Sequence, residues 1–211
     1  MDTINSGTIG NYFDMFSRKA PAEWEQLPDI GLYMDQVVTY LERQLELFLK
    51  AGDENLITPS MINNYAKSKI VPRSEGKKYS QEHIALLLTV FTLKRVLSVQ
   101  DMGYLVGKIG TASEVEALYG RFRRGMEHSV RETASLVGAV LAEAGSEDTG
   151  VDSKTLCDLA LDLAVDASVR SYAAETLLAF ANPEKEVSEK KAKAKARKEK
   201  AAAKKGASKK E

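Results

Sequence analysis

Apolar residues recur every three or four positions along most of this chain, and the pattern predicts a protein that is helical nearly throughout. Over Leu32–Lys50 they fall at Val37, Val38, Leu41, Leu45, Phe48 and Leu49, and residues 51–55 then break the pattern. Thr58-Pro59 starts the next helix: the threonine hydroxyl can cap a free backbone N–H, and proline suits the first helical position because it has no N–H to satisfy. That helix should run to about Lys69, with Pro72 stopping it. Residues 73–79 are short, polar and contain a glycine, so they read as a turn or a small two-stranded wing. Ser80 caps a helix whose Ile84, Leu87, Leu88, Phe91, Val96 and Leu97 make most of its circumference apolar, the pattern of a buried helix. Ser98 opens a shorter one that ends near Gly107.

A much longer helix, 113–144, follows a cap at Thr111 or Ser113, where Thr111-Ala-Ser-Glu114 and Ser113-Glu-Val-Glu116 both fit a capping box. Val115, Leu118, Tyr119, Phe122, Met126, Val130, Val137, Leu141 and Ala144 sustain its period over about eight turns. A period held that far points to packing against another chain, so Val115, Phe122, Met126, Val130 and Val137 are candidate dimer-interface residues. Gly120, Gly125 and Gly138 each cost the helix ~1 kcal/mol against alanine, which leaves room for a bend or break. Residues 153–181 make one or two Ala/Leu-rich helices. At the other end, residues 1–28 form an N-terminal arm with an apolar cluster at Tyr12, Phe13, Met15 and Phe16, either a docking helix or a partly ordered segment. The chain therefore divides into the arm 1–28, a head 29–107, a helical dimerisation or cap region 108–182, and a tail 183–211.

Charge sharpens that division. Thirty basic and thirty acidic residues cancel overall, yet residues 184–211 carry a net +7 and the preceding body a net −7. The tail is Lys/Ala/Glu with no apolar residue larger than Val187, so it has nothing to bury and is expected to be disordered. It could coat nucleic acid, keep the protein soluble, or lie weakly on the acidic body. No window approaches the ~18 uncharged apolar residues of a membrane span. The first ten residues carry no export signal, and a lone cysteine (Cys157) excludes an internal disulfide. A cytoplasmic protein without membrane, metal or cofactor is the expectation.

The helix at 59–69 is the place where chemistry could reside. Ser60, Asn63, Asn64 and Lys67 fall at i, i+3, i+4 and i+7, one polar stripe opposite Ile62, Tyr65 and Ala66. Asparagine can pair with an adenine edge, serine serves several bases, and lysine reaches guanine or phosphate. Lys69, Arg73, Lys77 and Lys78 follow, against a single acid, Glu75. The stretch 57–79 thus carries a net +4 inside a net-negative body, as a phosphate-contacting surface would. An ordinary solvated helix face explains such a stripe equally well. Elsewhere the blander reading prevails: Asp158, Asp162 and Asp166 as a wet face, His128 on the wet side of an Arg-rich helix, His83 as a capping or packing group, and Cys157 as a small core residue. No nucleophile–base arrangement has supporting context, so no enzyme is expected.

The order Thr58-Pro-Ser-Met-Ile-Asn-Asn-Tyr65, Lys69-Ile-Val-Pro72 and Lys78-Tyr-Ser-Gln-Glu-His-Ile84 resembles the start of a MerR-type winged helix-turn-helix. Together with Leu27-Pro-Asp-Ile-Gly-Leu-Tyr-Met-Asp-Gln-Val37, it is similar to a bacterial family known as a domain of unknown function (number eighteen thirty-six). The resemblance covers about 29–107. It implies a recognition helix at 59–69 and a basic wing at 73–79, with the 32–50 helix supplying the first helix of the motif and 113–144 matching the dimerising helix behind such heads. Asn63 stands where MerR-type proteins usually carry arginine, and Lys69 where they carry glycine. The expected molecule is all-α: a MerR-like head, a long helix that dimerises or packs within the chain, C-terminal helices and a basic tail. Its expected role is a non-enzymatic, DNA-binding transcriptional regulator that pairs with itself. The alternative is a helical protein-interaction or scaffold module that keeps the fold without the DNA contact.

Overall fold

Nine consecutive residues of one helix, His83 to Phe91, are buried, and the head of the protein is built around them. The computed structural model describes residues 3–46, 57–107, 109–144 and 150–182, so the tail 183–211, together with Phe48 and Leu49, lies outside the described residues. The elements run β1 (Thr3–Ile4), α1 (Ser6–Ser17), a 3-10 turn (Trp24–Gln26), α2 (Met34–Gln44), α3 (Pro59–Lys67), α4 (Gln81–Leu93), α5 (Val99–Val106), α6 (Ala112–Ala144), β2 (Val151–Asp152) and α7 (Ser153–Ala181). The described chain is all-α apart from one two-residue antiparallel pair, Thr3 opposite Asp152 and Ile4 opposite Val151, and two isolated bridges, Leu32 with Tyr79 and Glu75 with Lys78. Residues 1–169 form one compact unit. A second unit begins at Arg170 and takes in the last turns of α7.

In the first unit, α2, α5 and α6 all pack on α4. Val37, Leu41 and Leu45 of the α2 segment are fully buried, as are Ile84, Leu87 and Leu88. Each such side chain contributes ~1.5–3 kcal/mol relative to exposure. A strap of irregular chain ties these helices together. Ala22 N–H donates to Gln44 of α2, Gln81 of α4 donates to the Trp24 carbonyl, and Tyr119 and Arg123 of α6 donate to the carbonyls of Ala22 and Pro21.

α6 is one unbroken helix despite its glycines, ~50 Å long at 1.5 Å per residue. Its start is the Thr111–Glu114 capping box: Thr111 Oγ1 accepts from the Glu114 N–H, while the Glu114 carboxylate accepts from the N–H groups of Gly110 and Thr111. The N-terminal arm resolves into a docking helix, because α1 lies along α6. There Ile9 and Phe13 join Val137, Val140, Leu141, Val151, Leu156, Leu159 and Leu163 in a second apolar cluster.

The apolar stripe of α6 is therefore used largely within the chain. Of the five candidate interface residues, Val115, Val130 and Val137 are buried, and Phe122 and Met126 are half-buried. Two smaller expectations are corrected. α4 ends at Leu93, and the chain then turns so that Leu97 re-enters the core while Val96 is 43% exposed. Cys157 is exposed, because the inward stripe of α7 is Leu156, Leu159 and Leu163, and position 157 lies ~100° from Leu156 around the helix. Leu161, Val165 and Val169 are also exposed, leaving α7 apolar on its outward side as well.

Candidate nucleic-acid interface

Helix α3 begins as its sequence dictates, with Thr58 Oγ1 accepting the Met61 N–H at 3.2 Å and Pro59 in the first turn. Two side chains fasten it to the core. Ile62 is fully buried, and Tyr65 meets the ring of Phe91 edge-on at 5.5 Å. Fixing those two turns the rest of the helix outward: Ser60, Asn63, Asn64 and Lys67 are all exposed, within an arc of roughly 100° at 100° per residue.

The end of α3 is a Schellman turn, in which Ile70 N–H donates to the Tyr65 carbonyl and Lys69 N–H to the Ala66 carbonyl. That arrangement puts Lys69 in the left-handed region, at φ 57°. An L-residue there carries roughly 1–2 kcal/mol of steric cost that glycine avoids. Ile70 and Val71 then dive into the core, and Arg73 emerges exposed. Lys67, Lys69 and Arg73 share the rim of one cavity of about 240 Å³, walled by Ile70, Val71 and Leu86.

Beyond Arg73 the expected wing is a two-residue hairpin, with Glu75 and Lys78 exchanging both backbone hydrogen bonds. Its central residues Gly76 and Lys77 have φ of 55° and 65°, the sign that a type I′ turn requires. Tyr79 pairs with Leu32 through two further backbone bonds of 2.8 and 2.9 Å, so the hairpin base is anchored on the segment before α2. Lys77 and Lys78 are exposed. The Lys78 ammonium lies 5.5 Å from the centre of the Tyr33 ring, a cation–π contact, and its stem runs so close to Gly31 that an added Cβ there would lie 3.0 Å from it.

His83 holds this loop to the core. Its ring is buried edge-on against Tyr79 at 5.6 Å; Nδ1 accepts the Ser80 N–H and Nε2 faces the Arg73 carbonyl, both at 3.2 Å. With Nδ1 accepting the Ser80 N–H, Nε2 is the nitrogen turned to donate to the Arg73 carbonyl. Beside it the Ser80 hydroxyl donates to Glu82, which holds that carboxyl below the usual carboxylate range. The capping and packing roles expected of His83 are both present. Its bond to Arg73 spans ten residues and leaves no periodic trace in sequence.

All eight candidate residues are thus exposed, on one helix and the loop that continues it. No ion pair among the described residues engages Lys67, Lys69, Arg73, Lys77 or Lys78, whereas Arg123 and Arg131 on α6 are paired with glutamates. The acidic stripe Asp158, Asp162 and Asp166 is exposed along α7, as is His128 on α6. No three potential ligands cluster for a metal ion among the described residues, and no helix there is long and apolar enough to cross a membrane. Tyr33 and Gly31 entered the sequence reading only as members of the Leu27–Val37 motif; their contacts with Lys78 did not, since a cation–π pair between distant segments has no sequence spacing.

Comparison with known proteins matches residues 22–122 to the family model described as Domain of unknown function (DUF1836). The match runs from the strap at Ala22 to Phe122, between the Tyr119 and Arg123 that grip the strap. No curated protein and no solved structure matches the chain.

Proposed function

The chain belongs to the DUF1836 family through residues 22–122, and from that footing we propose that it is a cytoplasmic, non-enzymatic regulator that binds duplex DNA. In this reading residues 29–107 act as a MerR-like winged helix-turn-helix, α3 enters the major groove, and the Glu75–Lys78 hairpin serves as its wing. One observation carries it: an outward arc of Ser60, Asn63, Asn64 and Lys67 runs directly into four further exposed cations, while the opposite face of the same helix is locked into the core. Small polar side chains that can pair with base edges, flanked by cations for phosphate, are the composition such a contact needs.

The Asn64→Ala/Lys67→Ala variant tests it, read by mobility shift and footprinting on the organism's own upstream DNA. The fold should persist, because both side chains are exposed, while specific affinity falls by ~1–3 kcal/mol per lost base contact. A wild type that protects no site at low salt would refute the reading.

A second reading, a helical protein-interaction module, draws on α7. Its outward Leu161, Val165 and Val169 are 62%, 55% and 62% exposed, more apolar surface than a solitary helix face usually presents to water. Self-association belongs to the same reading: with Val115, Val130 and Val137 committed inside the chain, a second copy would meet the outer face of α7.

A further inference from the structure

Among the described residues, only two that are not glycine occupy the left-handed backbone region, and both are lysines: Lys69 and Lys77. Their settings are unrelated. Lys69 follows the C-cap of α3 in a Schellman turn, and Lys77 is the second central residue of a type I′ hairpin. In each setting glycine is the strain-free occupant and asparagine the usual second choice. Neither lysine recovers the cost through the chain itself, for both are exposed and neither joins an ion pair among the described residues. Lys78, one position on, differs on both counts, since its φ is not left-handed and its ammonium is committed to Tyr33. Strain that persists at two exposed positions, each filled by the same cation, marks residues kept for what they touch.

We propose that Lys69 and Lys77 are the phosphate anchors of this surface. They grip the backbone of duplex DNA without reading its sequence, and Ser60, Asn63 and Asn64 are left to face base edges. The turns that strain them also fix their Cα positions: two backbone hydrogen bonds close the Schellman turn and two close the hairpin. A cation mounted on a rigid turn loses less freedom on meeting phosphate than one on a mobile loop. This deepens the DNA-binding reading and rests on it.

The test uses the full chain and a random-sequence 30-base-pair duplex, so that no operator is needed. Lys69→Gly/Lys77→Gly should be the more stable protein, its unfolding equilibrium constant lowered about tenfold at fixed urea, because the relieved strain is only partly offset by the extra freedom that two glycines give the unfolded chain. In fluorescence anisotropy between 50 and 200 mM salt, its slope of log affinity against log salt should shrink by about 1.8, or ~0.9 per lost anchor. Lys69→Asn/Lys77→Asn should show the same loss of slope, and Lys69→Arg/Lys77→Arg should keep the wild-type slope. If wild type binds and the glycine variant keeps its slope, the anchor assignment is overturned and the DNA reading survives. A wild type without affinity for the duplex at 50 mM salt overturns both. A glycine variant that is less stable than wild type overturns the strain argument, and the assignment with it.

Discussion

Replacing His83 by alanine should loosen the basic loop while sparing the helices around it. The imidazole gives up two hydrogen bonds, from the Ser80 N–H and to the Arg73 carbonyl, each 3.2 Å long. At net values of ~0.5–1.5 kcal/mol per bond, and at the long end of the distance range, the pair is worth about 1.5 kcal/mol. The edge-on contact with Tyr79 adds ~0.5–1.5 kcal/mol, and a small cavity opens where a ring only 7% exposed had been. The total is about 2–3 kcal/mol. With a urea dependence of ~2 kcal/mol/M for a chain of this size, the unfolding midpoint should fall by about 1–1.5 M. Global unfolding alone would not show that the loss is local, so hydrogen exchange is the second readout. The Tyr79 amide, bonded to the Leu32 carbonyl at 2.8 Å, should exchange much faster in the variant at low urea, while amides in the middle of α4 should stay protected. A midpoint within about 0.3 M of wild type, with Tyr79 exchange unchanged, would show that His83 does not hold the loop.

The Tyr40 hydroxyl is buried without a hydrogen-bond partner among the described residues, so Tyr40→Phe should raise stability by about 1 kcal/mol in thermal unfolding; a fall would mean that the hydroxyl is satisfied in solution. The Glu114 carboxyl is held below its ordinary value of 4.5 by the Gly110 N–H first, then by the hydroxyl and N–H of Thr111. A carboxyl lowered in the folded state stabilises fully above its unfolded pKa and loses that contribution as pH falls through the folded one. Glu114→Gln should therefore be the less stable protein at pH 7, with the gap closing below about pH 4 in urea titrations at several pH values; a gap independent of pH would contradict the capping role. If α7 seats a second copy, sedimentation at micromolar concentration should give a dimer for wild type and a folded monomer for Leu161→Asp/Val165→Asp, whereas a monomeric wild type would exclude that pairing.

Local chemistry was the legible part of this sequence. Thr58-Pro59, Ser98 and Thr111–Glu114 each place a cap whose bonds reach only three residues, and all three caps form. The mostly apolar circumference of α4 announced its burial for the same reason: a period is a local property. What a periodic stripe withholds is the identity of the surface that covers it. The face of α6 read equally well as a seam for another chain, and only the fold shows Ile9 and Phe13 of the N-terminal arm packed beside Val137. The candidate site divides along the same line. Exposure of Ser60, Asn63, Asn64 and Lys67 follows from 100° steps around α3, but the His83–Arg73 link, the Lys78–Tyr33 contact and the strap at 21–24 join segments with no fixed spacing. Cys157 shows the limit within one helix. With α7 apolar on opposite sides, composition could not say which side faces in.

The docking of α1 on α6 also sets a timetable for synthesis. Ile9 and Phe13 are translated about 125 residues before their partner Val137. At 5–20 residues per second, that is a wait of roughly 6–25 s. The elements of the 22–122 region can assemble during that interval, since α2, α4 and the first turns of α6 are all translated before Val137 appears. Meanwhile the apolar side of α1, with the rings of Phe13 and Phe16 meeting edge to face in the folded protein, has no native surface to rest on. A released chain that ends near residue 125 should therefore carry the elements of the head and an undocked amphipathic helix, the kind of segment that holdase chaperones bind.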